Sequence, residues 1–428
     1  MRLGGRVGAA IEVLQDIETR RRPVADALKD WGLAHRFAGS GDRAVIGNLV
    51  HDALRKKLST AHLMADDSPA SLAFGTLWRQ WSVSLAQMRE AFAEDRFAPK
   101  IPEDALASAL KRDFAFAAPY VEADVPDWTA DFFEENFDHE WVAEAAALSE
   151  RAPLDLRVNT LKADREKVRK QLSKAGAKDT PIARHGLRIA AGKGASRHPN
   201  VQVEPAFQKG WFEVQDEGSQ IVADLVFPRP GEQVFDYCAG AGGKTLALAA
   251  AMENKGQVHA WDADKSRLAP IFERLKRAET RNVQVHAADA DLSGLENRME
   301  RVLVDAPCTG SGTWRRNPDA KWRLQPSSLE KRLGEQASVL DAASKYVRPG
   351  GFLVYVTCSV FPQENEHQVY AFGDRHADYE LLSAGEVWQE LFGFDKPQPW
   401  SADMKCITLT PRATGTDGFF FAVMQRNG

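Results

Sequence analysis

Two cysteines stand just beyond two strand-like runs. Arg301-Val-Leu-Val-Asp305-Ala-Pro307-Cys308 is apolar and stops at Asp-Ala-Pro-Cys, and Phe352-Leu-Val-Tyr-Val-Thr357-Cys358-Ser359 ends at Thr-Cys-Ser. A lone Cys after a strand is usually a small core residue. If both runs belong to one parallel sheet, both thiols emerge on its ligand edge. A structural disulfide between them is disfavoured in a reducing compartment. The chemistry that uses a thiolate beside a methyl donor is carbon methylation of a pyrimidine. Carbon 5 of cytosine is a poor nucleophile. Thiolate addition at carbon 6 makes it enamine-like, able to attack a sulfonium methyl group. One Cys is enough for attack, and a second can assist breakdown after the carbon 5 proton leaves. Asp305 can hydrogen-bond the pyrimidine edge as charge builds, or make a turn or donor contact instead.

The methyl donor needs its own site. Val234-Phe-Asp236-Tyr runs into Cys238-Ala239-Gly240-Ala241-Gly242-Gly243-Lys244-Thr245, a strand, a glycine turn and the start of a helix. A P-loop needs Gly where Cys238 stands, and a dinucleotide fingerprint needs Gly where Thr245 stands, so both patterns fail. An S-adenosylmethionine site remains, with a bare tight turn as the plain alternative. Asp262 ends Val258-His-Ala-Trp-Asp262, where a carboxylate can accept from both ribose hydroxyls. Asp289 ends His286-Ala-Ala-Asp289, placed for the adenine amino group. Either acid alone is more often a helix cap.

The elements that position these residues follow from patterning. From about Glu204 onward, apolar strands alternate with helical runs, among them Thr245–Met252, Ser266–Ala278 and Ser328–Tyr346, which argues for a parallel α/β sheet covered on both faces. Phe419 to Arg426 reads as a terminal strand free to join the sheet edge antiparallel. Around Pro153 a small α/β domain begins, with strands near Leu154–Asn159 and Arg184–Ala190 and a helix from Arg165 to Leu172. The first third has helical spacing, as in Val7, Ile11, Leu14 and Val45, Leu49, Val50, with Asp42 a plausible N-cap.

Composition sets limits. The chain has 428 residues, 44% hydrophobic and 27% charged, which excludes disordered and fibrous classes. Four Cys are too few for a disulfide scaffold. No apolar run approaches the roughly 20 residues that span a bilayer, and the start carries no signal-peptide pattern. A soluble cytoplasmic protein is expected. Net charge is −5, but Glu122 to Glu150 alone carries ten acids and no Lys or Arg, leaving the remainder at +5. Directly after Cys308, the basic residues Arg315, Arg316, Lys321 and Arg323 interleave with Trp314 and Trp322. Cations there would meet phosphates and aromatics would stack on bases. The plainer reading is a loop folded onto its own domain. Cys406 reads as core, and His51 and His367 lack metal-ligand spacing, so no metal is expected.

These residues resemble the NOL1/NOP2/Sun RNA cytosine-C5 methyltransferases, more closely the bacterial small-subunit ribosomal RNA branch with a NusB-like N-terminal domain. The motifs that carry the resemblance are Gln215-Asp-Glu-Gly-Ser-Gln220, Asp236 through Thr245, Asp305 through Thr313, Arg315 through Trp322, Thr357-Cys-Ser359 with Glu364-Asn-Glu366, and Gly415-Thr-Asp-Gly-Phe-Phe420. Leu156 through Lys162 is similar to the family's small RNA-positioning domain. The resemblance implies a Rossmann-like class I methyltransferase domain with a mostly parallel seven-stranded sheet over 206–428, a small α/β RNA-positioning domain over 141–205, and an all-α NusB-like RNA-binding domain over 1–140. It implies Cys358 as nucleophile and Cys308 as the thiol that assists release. Cys238 to Lys244, Asp262, Arg267, Asp289 and Asp305 would contact S-adenosylmethionine, with S-adenosylhomocysteine as product, or the target base. The family usually has Pro where this chain has Ala241, which loosens the turn. The expected partner is ribosomal RNA, the expected state a monomer. Rival readings are a transfer RNA cytosine-C5 methyltransferase, a DNA cytosine-C5 methyltransferase attacking through Cys308, and a non-catalytic RNA-binding or assembly factor. The two thiols should converge on opposite sides of a pyrimidine.

Overall fold

The computed structural model describes residues 1–428, which divide into two compact units: 1–152 with 191–198 and 314–324, and 153–190 with 199–313 and 325–428.

The first unit is helical. In the helix Leu3–Arg20, Val7, Ala10, Val13, Leu14 and Ile17 share one face and are buried. They pack with Ile46, Leu49 and Val50 of Ser40–Arg55 and with Phe74 and Leu77 of Pro69–Arg79 in one core. The cap of the helix Ser40–Arg55 differs from expectation. Gly39 is the N-cap, and Asp42 stands in the first turn, where its carboxylate accepts from the Gly39 N–H (3.2 Å) and from Arg6 Nε (2.9 Å). No helix is long and apolar enough to cross a membrane.

The second unit holds two sheets. The strands of the smaller are β1 (Leu154–Val158), β2 (Lys178–Asp179), β3 (Gly186–Ile189) and β4 (Phe212–Val214), antiparallel in the order β2-β3-β1-β4. Its buried face, with Leu156, Val158, Leu187 and Phe212, packs on Val168 of the helix Arg165–Gln171.

The larger sheet is built from β5 (Gln233–Asp236), β6 (Gln257–Ala260), β7 (Val283–Val285), β8 (Met299–Asp305), β9 (Val347–Thr357), β10 (Tyr379–Leu381), β11 (Cys406–Leu409) and β12 (Phe419–Arg426). The order is β10-β12-β9-β8-β5-β6-β7. β7, β6, β5, β8 and β9 run parallel, in the Rossmann-like doubly wound arrangement expected. Alternate residues feed two cores: Val234, Leu303, Val354 and Val356 on one face, Phe235, Val302, Val304, Leu353 and Tyr355 on the other.

Three expectations are corrected. The terminal strand β12 is not at the edge; it lies antiparallel between β9 and β10. β11 is an eighth strand, paired with Phe419–Ala422 of β12, while β10 takes Met424–Arg426. The helix expected over 266–278 is broken into Lys265–Leu268 and Ile271–Ala278. Pro270, with no N–H to give and a ring that crowds the preceding turn, stands at the break.

Candidate active site

Strand order reverses at β5. The chain winds outward through β6 and β7, then returns to place β8 on the other side of β5. A crevice for ligands opens at the carboxyl ends beside such a switch point. Every strand end singled out from the sequence lies on this edge.

The glycine turn after β5 is tightly specified. Gly240 and Gly242 have φ of +49° and +80°, a region L side chains rarely adopt. A Cβ on Gly242 would stand 2.4 Å from Ile271 Cγ1. Gly242→Ala should therefore lower stability by about 1–3 kcal/mol and weaken donor binding, read by thermal unfolding and a cofactor titration. Ala239 N–H donates to the Trp261 carbonyl (2.9 Å), tying the turn to the end of β6. Arg274 Nη1 donates to the Ala241 carbonyl (2.8 Å) and so fixes the peptide that lacks the family's proline. Nothing in the sequence pattern marked Arg274; it lies one turn into a helix rich in other basic residues.

Asp262 is buried, and its Oδ2 accepts from Gly240 N–H (2.9 Å) and its Oδ1 from Asp264 N–H (2.8 Å). Each oxygen keeps a second lone pair, enough for both hydroxyls of a ribose. Arg267 Nη1 lies 3.9 Å from Asp262 Oδ2. Asp289 is exposed, and β7 ends at Val285, so this acid sits in the following turn rather than at the strand end. That turn is tethered by Trp261 Nε1 donating to the Ala288 carbonyl (3.3 Å).

Across the switch point, Lys244 Nζ meets Asp305 Oδ2 at 2.7 Å. Behind them Asp236 is fully buried. Its Oδ2 accepts from Thr245 Oγ1 (2.6 Å), its Oδ1 has no partner, and burial pushes its pKa up to about 7. These groups fit the amino-acid tail of S-adenosylmethionine. Lys244 and the N-terminus of the helix Gly243–Ala251 suit a carboxylate, and Asp236 and Asp305 suit an ammonium. Asp236 was read only as part of a motif; the orphaned oxygen gives it a role. Cys238 is held well above the ordinary cysteine range by burial and by the nearby Asp305 and Asp262, so it stays a thiol.

β8 and β9 are adjacent and in register, Asp305 opposite Val356. Cys308 and Cys358, the next residues of consequence on each, have sulfurs 3.3 Å apart, and both thiols are free and half-buried. They lie side by side. Sulfurs 3.3 Å apart are already in contact and leave no room for a ring between them, so the expectation of opposite sides of a pyrimidine is corrected. The hydrogen bond to Cys358, followed by burial, holds the Cys308 thiol well above its ordinary range. Either sulfur can donate across this contact.

The loops carrying the thiols are laced together. Glu364 is buried; its Oε1 accepts from Thr309 N–H (2.8 Å) and Gln336 Nε2 (3.0 Å), and its Oε2 from Thr309 Oγ1. Gln336 Nε2 also donates to the Pro307 carbonyl (2.9 Å). On the other side Thr357 Oγ1 donates to Asn365 Oδ1 (2.6 Å), and Gly312 N–H to the Cys358 carbonyl (3.0 Å). The Glu364-Asn-Glu366 motif thus clamps both loops from within.

The basic patch departs from its sequence reading. Arg315 and Trp314 are buried, and Trp314 packs against Phe133. Lys321 is 0% exposed; its Nζ donates to the carbonyls of Arg55 (2.8 Å) and Asp124 (2.6 Å) and to Ser149 Oγ (2.9 Å). It cannot meet a phosphate. Arg323 pairs with Asp319 (2.9 Å), and Trp322 Nε1 donates to the Leu54 carbonyl (2.7 Å). Arg316, half-exposed, and Arg323, exposed, keep surface positions resembling those expected.

Comparison with known proteins adds to this geometry. Residues 223–425 match a family described as 16S rRNA methyltransferase RsmB/F, and residues 125–194 match the ferredoxin-like domain of RsmF/B-like methyltransferases. The chain is 34% identical to the probable ribosomal RNA small subunit methyltransferase B of Synechocystis sp., over 70% of this chain and 66% of that protein. It is 32% identical to ribosomal RNA small subunit methyltransferase B of Pectobacterium atrosepticum, over 74% of this chain and 69% of that one. The chain spans about two thirds of the length of these relatives. A methyltransferase homolog protein from Pyrococcus horikoshii superposes with a TM-score of 0.59 at 28% identity, over 72% of this chain and 97% of that one.

Proposed function

Because the chain belongs to the RsmB/F family of 16S rRNA methyltransferases, we propose that it transfers the methyl group of S-adenosylmethionine to carbon 5 of a cytosine in small-subunit ribosomal RNA, through a covalent bond between Cys358 and carbon 6. The observation that carries this reading is the pair of sulfurs 3.3 Å apart at the ends of β8 and β9, on the edge that also holds the glycine turn and Asp262.

S-adenosylmethionine supplies an electrophilic methyl group on a sulfonium sulfur. Asp262 would hold its ribose, and Lys244 with the helix N-terminus would hold its carboxylate. The Cys358 thiolate adds to carbon 6, and the ring's electron pair shifts so that carbon 5 becomes nucleophilic. Asp305 hydrogen-bonds the pyrimidine edge while charge accumulates there. As the carbon 5–methyl bond formed, the methyl–sulfonium bond would break and S-adenosylhomocysteine would leave; a base would then take the carbon 5 proton, the carbon 6–sulfur bond would break with its electrons going to sulfur, and the thiolate would depart. Cys308, which holds a proton beside the Cys358 sulfur, assists that departure. The target base must be unpaired or flipped to reach the thiols.

In this reading the enzyme works as a cytoplasmic monomer, with a NusB-like helical part over 1–140, an RNA-positioning part over 141–205 and the catalytic part over 206–428. The direct test is bisulfite mapping of small-subunit ribosomal RNA and transfer RNA after incubation with the protein and S-adenosylmethionine. Protection of one ribosomal cytosine supports the assignment; a protected transfer RNA cytosine, or none, refutes it. Asp262→Asn removes one charge-assisted acceptor and should weaken S-adenosylmethionine binding about ten-fold, read by calorimetric titration.

A further inference from the structure

The helical unit contains two adjoining cavities with cationic walls. The first, about 400 Å³, is lined by Arg55, Arg151, Arg197, Arg315 and Arg316, and by no Asp or Glu. The second, about 410 Å³, shares Arg55, Arg151 and Gly192 with the first and adds Lys56, Arg79 and Lys193. Its acids are Asp52 and Glu150. Asp52 is buried and bridges the two shared guanidiniums, accepting from Arg55 Nη1 (2.8 Å) and Arg151 Nε (2.8 Å). Glu150 is paired with Lys56. The cations outnumber these acids along the whole wall.

The two shared arginines are held in place. Arg55 Nε and Nη2 donate to the Arg315 carbonyl (3.1 and 2.9 Å). Arg151 Nη1 and Nη2 donate to the carbonyls of Gly192 (3.0 Å) and Gly194 (2.6 Å). A guanidinium already fixed loses little further freedom when it takes up an anion, and its remaining N–H groups suit phosphate oxygens. Lys193 and Arg197 stand at the exposed lip. No Phe, Tyr or Trp lines either cavity, and His51 and His198 of the first are the aromatic rings there, so charge outweighs stacking surface along the wall.

We propose that these two cavities form one groove that takes the sugar-phosphate backbone of the RNA substrate, holding it by charge and register and not by base identity. The inference rests on the RNA methyltransferase reading above and moves the RNA contact from buried Lys321 to Lys193, Arg197 and the fixed arginines behind them. An evenly spaced chain of anions matches two cavities with a common wall. Such contacts position the nucleic acid while the catalytic pocket reads the base.

The test is anisotropy binding of the full chain to a labelled small-subunit ribosomal RNA transcript, from low to high salt. Arg197→Glu and Lys193→Glu alter exposed side chains, and thermal unfolding verifies that both variants stay folded. Each is expected to weaken binding at low salt about ten-fold and to flatten the dependence of log affinity on log salt by about 0.7 per lost contact. The KM for RNA should rise in parallel. If the wild-type chain methylates the RNA while both folded variants keep its affinity and salt slope, the groove is not the backbone site and the enzymatic reading survives. Competition by polyglutamate as strong as by RNA would also overturn the proposal. A wild-type chain that neither binds nor methylates RNA removes the reading on which it rests.

Discussion

Cys358→Ala should abolish methyl transfer, by at least about a thousand-fold, and should form no covalent complex with RNA. Cys308→Ala should instead let a denaturant-stable protein–RNA complex accumulate. Two cysteines 3.3 Å apart and joined by a hydrogen bond are not equivalent. The hydrogen bond to Cys358 and burial keep Cys308 protonated, so it is the poorer nucleophile. Removing it takes away the nearest proton source for the departing sulfur, and the adduct outlives the methylation step. The measurement is a denaturing gel of protein with labelled RNA and S-adenosylmethionine, alongside transfer of radioactive methyl groups. An adduct with Cys358→Ala but none with Cys308→Ala would move the nucleophile to Cys308 and revive the mechanism in which the Pro-Cys thiol attacks.

The catalytic edge was legible because its strands are. Parallel strands buried on both faces are read as unbroken apolar runs, and their carboxyl ends fall where Asp236, Asp262, Asp305 and the two cysteines stand. The shorter pieces escaped. Phe212-Glu-Val214 and Lys178-Asp179 are strands only because neighbours pair with them, and two or three residues carry no periodicity. β10 is short too, and what fixes it is the outer edge of β12, whereas β11 falls within the strand-like run Met404–Thr410. The break in the helix over 266–278 could have been read from Pro270, and the N-cap at Gly39 from the glycine itself.

The side-by-side thiols could not be read. Strand ends place the cysteines on one edge, but the distance between their sulfurs depends on the clamp made by Glu364, Gln336 and Asn365. A buried carboxylate with three donors looks, in sequence, like any surface Glu. The basic patch misled for the opposite reason. Lys and Arg between tryptophans suggest a solvated, nucleic-acid-binding stretch, yet the partners of Lys321 lie 266 and 197 residues away in the chain. Long-range burial of this kind has no local signature. The same folding-in of 314–324 brings Arg315 to the wall of the groove with Arg55, so the segment contributes to the charged surface through its backbone and its position more than through the lysine.

Lys321→Met should destabilise the helical unit by about 1–3 kcal/mol, the cost of leaving buried acceptors without a donor. The ammonium satisfies two carbonyls and a hydroxyl and lies in the field of Asp124, whose own pKa is raised by burial. Methionine fills the volume but leaves those acceptors buried and unpaired. Wild-type stability should also carry a pH signature. Burial lowers the Lys321 pKa from 10.5 to about 7. Between those values the unfolded chain binds more protons than the folded one, so this group makes stability rise with pH across that window and contributes no slope below it. Asp124 acts with the opposite sign, since a raised carboxylate pKa removes stability as pH climbs from the unfolded value to the folded one. Lys321→Met should therefore lower the unfolding midpoint at neutral pH and flatten the rise on the alkaline side. Chemical denaturation followed at pH 7, 8 and 9, with tryptophan fluorescence reporting on Trp314 and Trp322 in this unit, measures both. A variant as stable as wild type, with the same alkaline slope, would mean that Lys321 is not the group that holds 314–324 in the helical core.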